Sequence, residues 1–125
     1  MSNQKPIEKI YDLQERTSRF GENVINYGKK IPQSKVSNPL IIQLVRAGTS
    51  VGANYAEADG AESNNDFIHK LGIAKKEAKE TKYWLRMVCS CFPSFDPDGT
   101  KALETEAHEL TLIFSSIINK SRNKV

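Results

Sequence analysis

Lys75, Lys79, Lys82 and Arg86 follow one another at steps of four, three and four residues. On a helix, with about 100° between residues, those steps gather four cationic heads into a wedge of about 60°. Glu77 and Glu80 fall on the other side. Like charges stacked this way repel by tenths of a kcal/mol per pair, and a helix that needs only solubility intersperses its signs. The chemistry open to such a row is electrostatic: it can follow the phosphates of a nucleic-acid backbone. Two plainer readings use the same residues. The wedge could be a solvated basic face, or it could pair with an acidic fourth helix through Glu104, Glu106 and Glu109.

A second polar group lies upstream. Gln43, Arg46, Ser50, Asn54 and Glu57 share a wedge of about 80° on their own helix. Arg46 and Glu57 are too far apart to meet directly, with Ser50 and Asn54 between them. This is either an exposed face or a hydrogen-bonded network at a subunit interface, where arginine is favoured. Catalysis is the weakest reading of it.

Other chemistries lack their residues. A bundle-core di-iron site needs Glu-x-x-His pairs. Glu62 stands seven residues before His69, and Glu104 four before His108. Cys89-Ser90-Cys91 puts its thiols about 200° apart on a helix, so neither a metal clamp nor a C-x-x-C redox pair follows. Both cysteines read as small buried hydrophobes, and both histidines as surface residues. No nucleophile elbow, Walker loop or dinucleotide fingerprint occurs. Gly48-Thr49-Ser50-Val51-Gly52 falls inside a helix, where its N–H groups are already engaged. The expectation is a non-catalytic protein with no metal and no cofactor.

Four helices must position these groups. The first, about residues 6–29, repeats Ile10, Leu13, Thr17, Phe20, Val24, Tyr27 and Ile31 at 3-4 spacing, with Gly28 and Pro32 as its stop. The second, about 39–62, starts from Asn38-Pro39. It carries a wide apolar and small-residue arc of Ile41, Leu44, Val45, Ala47, Gly48, Val51, Gly52, Tyr55 and Ala58. Gly48 and Gly52 each weaken a helix by about 1 kcal/mol against alanine, which makes sense where another backbone comes close. The plain reading is close packing inside one bundle, and the sharper one is a helix covered on two sides, by its own bundle and by a neighbouring subunit. The third helix, about 64–91, opens on Ser63 and Asp66 as a capping box and lines Phe67, Leu71, Ala74, Ala78, Leu85 and Cys89 on one face. The fourth, about 98–121, repeats Leu103, Ala107, Leu110, Phe114 and Ile117. No strand pattern is present, so the fold is all-α, an antiparallel up-down-up-down four-helix bundle.

The chain has 125 residues, 38% hydrophobic and 26% charged, with a net charge of +3. That fits a single domain over residues 1–125. Two cysteines give no disulfide framework, and no apolar run spans a membrane or forms a secretory core, so a cytoplasmic location is expected. The mild total hides sorted charge: residues 63–92 carry a net +3 and residues 93–119 a net −4.

The run Gln43-Leu44-Val45-Arg46-Ala47-Gly48-Thr49-Ser50-Val51-Gly52-Ala53-Asn54-Tyr55-Ala56-Glu57-Ala58 resembles the signature of the bacterial four helix bundle protein family. That family includes proteins encoded in ribosomal RNA intervening sequences and the related accessory variability proteins of diversity-generating retroelements. Asp66-Phe67-Ile68 and Ile73-Ala74 match its next helix, and the likeness spans about residues 8–120. Ala58 and Asp59 depart from a glycine common there, and Lys75-Lys76-Glu77-Ala78-Lys79-Glu80 is richer in lysine. The resemblance implies a small antiparallel bundle assembled into a ring, a homopentamer, with no enzyme activity. It also implies basic surfaces that touch RNA, DNA or a reverse transcriptase, and it matches Arg46, Ser50, Asn54 and Glu57 to the family's polar motif.

Two functions remain open. One is an oligomeric module that binds nucleic acid. The other is a scaffold that docks a protein such as a reverse transcriptase, with charge steering the encounter. Few aromatics could stack on bases. Tyr83 and Trp84 flank the wedge, Trp84 pointing away, so structured RNA or duplex backbones suit it better than single strands. An exposed remainder of the second helix, together with an Ile73, Trp84 and Met87 strip, would leave an apolar patch too large for a monomer.

Overall fold

The structure, a computed structural model, describes the backbone of residues 5–123 and the side chains of residues 13–123. Ile10, at the head of the expected stripe, lies outside the described side chains. Four helices follow in order: α1 (Lys5–Lys30), α2 (Ser37–Asp59), α3 (Asn64–Cys91) and α4 (Pro97–Arg122). Among the described residues there is no strand. Contacts between helices run in opposite chain directions. Gly21 meets Thr49 and Gly28 meets Val45, Glu57 meets Lys70, Asn64 reaches Ser121, and Tyr27 reaches Thr100. Each neighbouring pair is therefore antiparallel, as an up-down-up-down bundle requires.

The stripes close on one core. From Leu13 onward every expected α1 position is buried, and so are Leu44, Val51, Leu71, Ala74, Ala78, Leu85, Leu103, Ala107, Leu110 and Phe114. The α4 stripe ends differently from expectation. Ile118, not Ile117, is buried, because a straight helix at 3.6 residues per turn drifts against a strict heptad. Phe67, Cys89 and Cys91 are half-buried. Thr17, Ser37, Thr81, Thr100 and Ser121 are buried although polar. Thr17 and Thr81 donate to carbonyls of their own helices. The Tyr27 hydroxyl and Thr100 Oγ1 share a 2.7 Å hydrogen bond, and no buried side-chain polar atom among the described residues lacks a partner.

Helix ends follow local chemistry. Ser63 Oγ accepts from Asp66 N at 3.1 Å, the expected cap of α3. The α2 start needs correction. The helix begins at Ser37, ahead of Asn38-Pro39, because Ser34 Oγ accepts from Ser37 N at 3.0 Å while the Ser37 hydroxyl donates to Pro32 O at 2.7 Å. At its other end α2 stops at Asp59, with Gly60 following. Asp96 caps α4 in the left-handed region, at φ 40°, with Oδ1 accepting from Gly99 N at 3.1 Å.

Gly28 does not stop α1, which runs on to Lys30. Its place is against α2, where a Cβ would stand 3.1 Å from Val45 Cγ2. Gly48 and Gly52 face the same seam from the other side. A Cβ on Gly48 would lie 2.7 Å from both Val24 methyl carbons, and one on Gly52 3.2 Å from Thr17 O. The close neighbour of these glycines is thus α1 of the same chain. Among the described residues α1 and α4, by contrast, touch sparsely. The Ile73, Trp84 and Met87 strip is half-buried rather than exposed, with Trp84 packed against the core. Among the described residues the large apolar side chains open to solvent are Ile25, Val36, Ile42, Tyr83 and Leu112.

Gly48→Ala should therefore destabilise the bundle by about 1–3 kcal/mol through overpacking on Val24, although alanine favours a helix by about 1 kcal/mol. Gly72 is the control, since a Cβ there meets nothing within 4 Å, and Gly72→Ala should stabilise by up to about 1 kcal/mol. Urea midpoints of the two variants should move in opposite directions. A Gly48→Ala protein as stable as the parent would show that the α1–α2 seam is looser than described.

Candidate nucleic-acid interface

α3 has two flanks. Its α2 side carries Lys70, Glu77 and Trp84, and its α4 side carries Lys75, Lys79, Lys82 and Arg86. The four cations therefore do lie along one side. Lys79 and Arg86 are exposed, while Lys75 and Lys82 are half-buried, consistent with stems lying along the surface and heads in water. Lys82 locates the row in the fold, with Nζ 3.5 Å from His108 Nδ1 on α4.

The expected pairing with α4 carboxylates does not form. Arg16 on α1 takes them instead. Its Nε donates to Glu106 Oε2 at 2.7 Å, and its Nη2 donates to Glu106 Oε1 at 2.8 Å and Glu109 Oε1 at 2.9 Å. Donation to the Glu106 carboxylate holds the guanidinium charged well above its ordinary range. The other ion pairs among the described residues are Arg19 with Glu15 and Lys70 with Glu57. None involves Lys75, Lys79, Lys82 or Arg86, and Glu104 pairs with no cation among the described residues. No described carboxylate thus neutralises the row.

The Arg16 clasp spans an open seam. One cleft of about 350 Å³ lies between Arg16, Arg19, Phe20, Asn23 and Glu106. A second, of about 250 Å³, continues past Asn26, Tyr27 and Ala102. Sequence reasoning missed this seam. Arg16 and Glu106 are 90 residues apart, and only the paired Glu106 and Glu109 on one face of α4 hint that a cation must face them.

The polar motif of α2 sits on the opposite side of α3 from the basic row. Arg46 and Glu57 are exposed, and Gln43, Ser50 and Asn54 half-buried. Ser50 Oγ donates to Arg46 O at 2.7 Å and Asn54 Nδ2 donates to Ser50 O at 2.8 Å. Two of the five side chains thus bind back to the backbone of their own helix. Glu57 Oε1 accepts from Lys70 Nζ at 2.8 Å, a bond that raises the lysine's pKa. Desolvation raises that of Glu77, and the nearby Glu80 adds to it while Lys76 and Arg46 oppose. Arg46 and Glu57 do not meet, as expected from their spacing. His69 and His108 are both exposed, and among the described residues no three His, Cys, Asp or Glu side chains converge as a metal group.

The family model of the 23S rRNA-intervening sequence proteins matches residues 9–116. The chain belongs to that family. A crystal structure from Bacteroides thetaiotaomicron VPI-5482, of a protein with unknown function from the S23 ribosomal protein family, superposes on this member with a TM-score of 0.76. The two are 32% identical, over 84% of this chain and 96% of that one. No curated protein matches the chain. The family and its solved relative carry no indication of an enzyme activity. No helix among the described residues is long and apolar enough to cross a membrane.

Arg16→Ala should lower stability by about 1 kcal/mol, the scale of a partly exposed bidentate pair after solvent screening. The loss should shrink in roughly 1 M salt. Urea midpoints at low and high salt read both effects, and an unchanged low-salt midpoint would remove the clasp as a structural element.

Proposed function

We propose that this protein is a non-catalytic, oligomeric four-helix bundle that binds the phosphate backbone of structured RNA or DNA through Lys75, Lys79, Lys82 and Arg86. One observation carries the reading: four cations stand in line on α3 with no carboxylate partner among the described residues, while the nearest acidic helix spends Glu106 and Glu109 on Arg16. Leaving such a row unpaired disfavours the isolated chain slightly, and a polyanion relieves it by releasing its own counterions. The family's name refers to 23S rRNA, so structured RNA is the first probe. Tyr83 is exposed but set edge-on against Trp84, with ring centroids 5.0 Å apart, and offers little platform for stacking unpaired bases.

Self-association belongs to the same proposal. Val36 and Ile42 are 69% and 65% exposed and Ile25 is 39% exposed, all on α1, α2 and their connection, away from the α3–α4 flank. A surface that packs these against a second copy leaves the basic row free, and a homopentamer follows from the family resemblance. Light scattering should return a multiple of 14.0 kDa at micromolar concentration, and a monomer mass would remove assembly from the proposal.

Four phosphate contacts per subunit give a slope of log K against log salt of about −3 to −4, more if a ring presents several rows. Lys79→Glu with Arg86→Glu should weaken binding of a short duplex RNA by roughly tenfold or more and flatten that slope. Helix content and particle mass should stay unchanged, because both positions are exposed. If the double variant keeps fold and mass yet binds RNA as the parent does, the row is a solvated face. Docking of a protein such as a reverse transcriptase then becomes the better reading. If the assembly falls apart, the row pairs with acidic residues of a neighbouring subunit.

A further inference from the structure

The basic row is a feature of α3, yet its environment includes a titratable group from another helix. His108 on α4 is exposed and brings Nδ1 to 3.5 Å from Lys82 Nζ. We infer that His108 is a fifth member of the phosphate-contacting surface and that its protonation makes nucleic-acid binding tighten as pH falls. This rests on the proposed role of the row and adds a residue and a regulation to it.

The geometry fixes the chemistry. An ammonium has only donors, so the contact forms only when the imidazole is neutral and Nδ1 accepts. The remaining proton is then on Nε2, at the other end of the ring. Protonation gives Nδ1 a hydrogen that opposes the ammonium, and the two heads become a pair of donors about one phosphate oxygen apart. An anion seated against both satisfies them together, through charge-assisted bonds. Binding therefore favours the charged ring and takes up a proton. The sign follows: the contribution of His108 is full where the free ring is already charged, and it is lost as pH rises until the bound ring gives up its proton. Histidine is the side chain that ordinarily makes this change between about pH 5 and 8.

The charged groups around the ring agree with this. On α3, Lys82 touches it, and Lys79 and Arg86 occupy the adjoining turns of the same flank. On α4, Glu104 lies one turn before and Lys101 nearly two turns before. Glu109 adjoins His108 in sequence but is turned to the other side and held by Arg16 of α1, as is Glu106. Neither His108 nor Lys82 makes an ion pair among the described residues. The facing positions on α3 and α4 thus offer the ring more cations than carboxylates, and an external anion is the partner it lacks. His69, the other histidine of the chain, sits near the opposite edge of the exposed α3 surface and serves as a control.

The experiment is a binding titration with a short labelled RNA duplex, whose own groups stay unchanged between about pH 5.5 and about pH 8, at fixed ionic strength. The parent should tighten by roughly five- to tenfold across that range. His108→Gln should flatten the response to within about twofold, and His69→Gln should keep it. His108→Lys should bind at about pH 8 as the parent does at about pH 5.5, with a salt slope steeper by about one contact. Calorimetry in two buffers of different ionisation enthalpy should read a net proton uptake that His108→Gln abolishes, which a merely structural histidine would not give. A parent with no pH response, or a His108→Gln variant that retains it, overturns the inference. If Lys79→Glu with Arg86→Glu still weakens binding in that case, the role of the row stands and His108 alone is excluded. If the double variant binds as the parent does, the row itself fails, and the role of His108 fails with it.

Discussion

The close approach of α1 to α2 sets the rest of the molecule. Gly48 and Gly52 on α2 leave out the side chains that would hold the helices apart, so that Val24 occupies the space a Cβ on Gly48 would need and Thr17 O approaches Gly52. These short residues on one seam draw α1 toward α2. On the far side of α1 nothing comparable draws it toward α4, and the seam there stays open, with clefts of about 350 and 250 Å³. Such a gap is closed by reach rather than by packing. Arg16 extends across it to Glu106 and Glu109, and Tyr27 spans it lower down to Thr100.

The consequence reaches the opposite flank of α4. Glu106 and Glu109 stand on the α1-facing side of α4. Here they are committed to Arg16, and the α3 row faces mainly His108, Glu104 and hydroxyls of α4. Thr111 and Ser115, the hydroxyls on that side, donate to carbonyls of their own helix at 2.9 Å and neutralise nothing. The uncompensated row is thus a product of how three other helices pack, not only of four residues on one helix. Burial of Leu71, Ala74, Ala78 and Leu85 on the inner face of α3 stabilises the helix by far more than the tenths of a kcal/mol by which each like-charged pair opposes it.

Legibility in the sequence followed the range of the interaction. The four helices, the α3 cap at Ser63 and the inward faces were readable, because each depends on neighbours within a few turns. The angular wedge of Lys75, Lys79, Lys82 and Arg86 was readable for the same reason. What fails is whatever depends on a second helix. Gly28 reads locally as a stop, but its meaning comes from Val45. Ile117 extends a heptad on paper, while the actual helix rotates Ile118 inward. Gly48 and Gly52 announce a close neighbour without saying whether it belongs to the same chain. The pairing of the wedge with α4 was a fair expectation from charge totals, and Arg16, from the other end of the chain, overrode it. His108 is the same case in reverse: alone it is a surface histidine, and only the register between α3 and α4 brings it to Lys82.

α3 divides its work between two flanks. On the α2 side, Lys70 binds Glu57 of the run that marks the family, and Trp84 packs against the core. On the α4 side stand Lys75, Lys79, Lys82 and Arg86. A change on the first flank disturbs packing and the fold with it. A change at Lys79 or Arg86 on the second alters mainly the solvent-facing charge, because both are exposed and neither makes an ion pair among the described residues. The affinity of the proposed phosphate contact can therefore be raised or lowered by substitutions that leave the bundle unaffected.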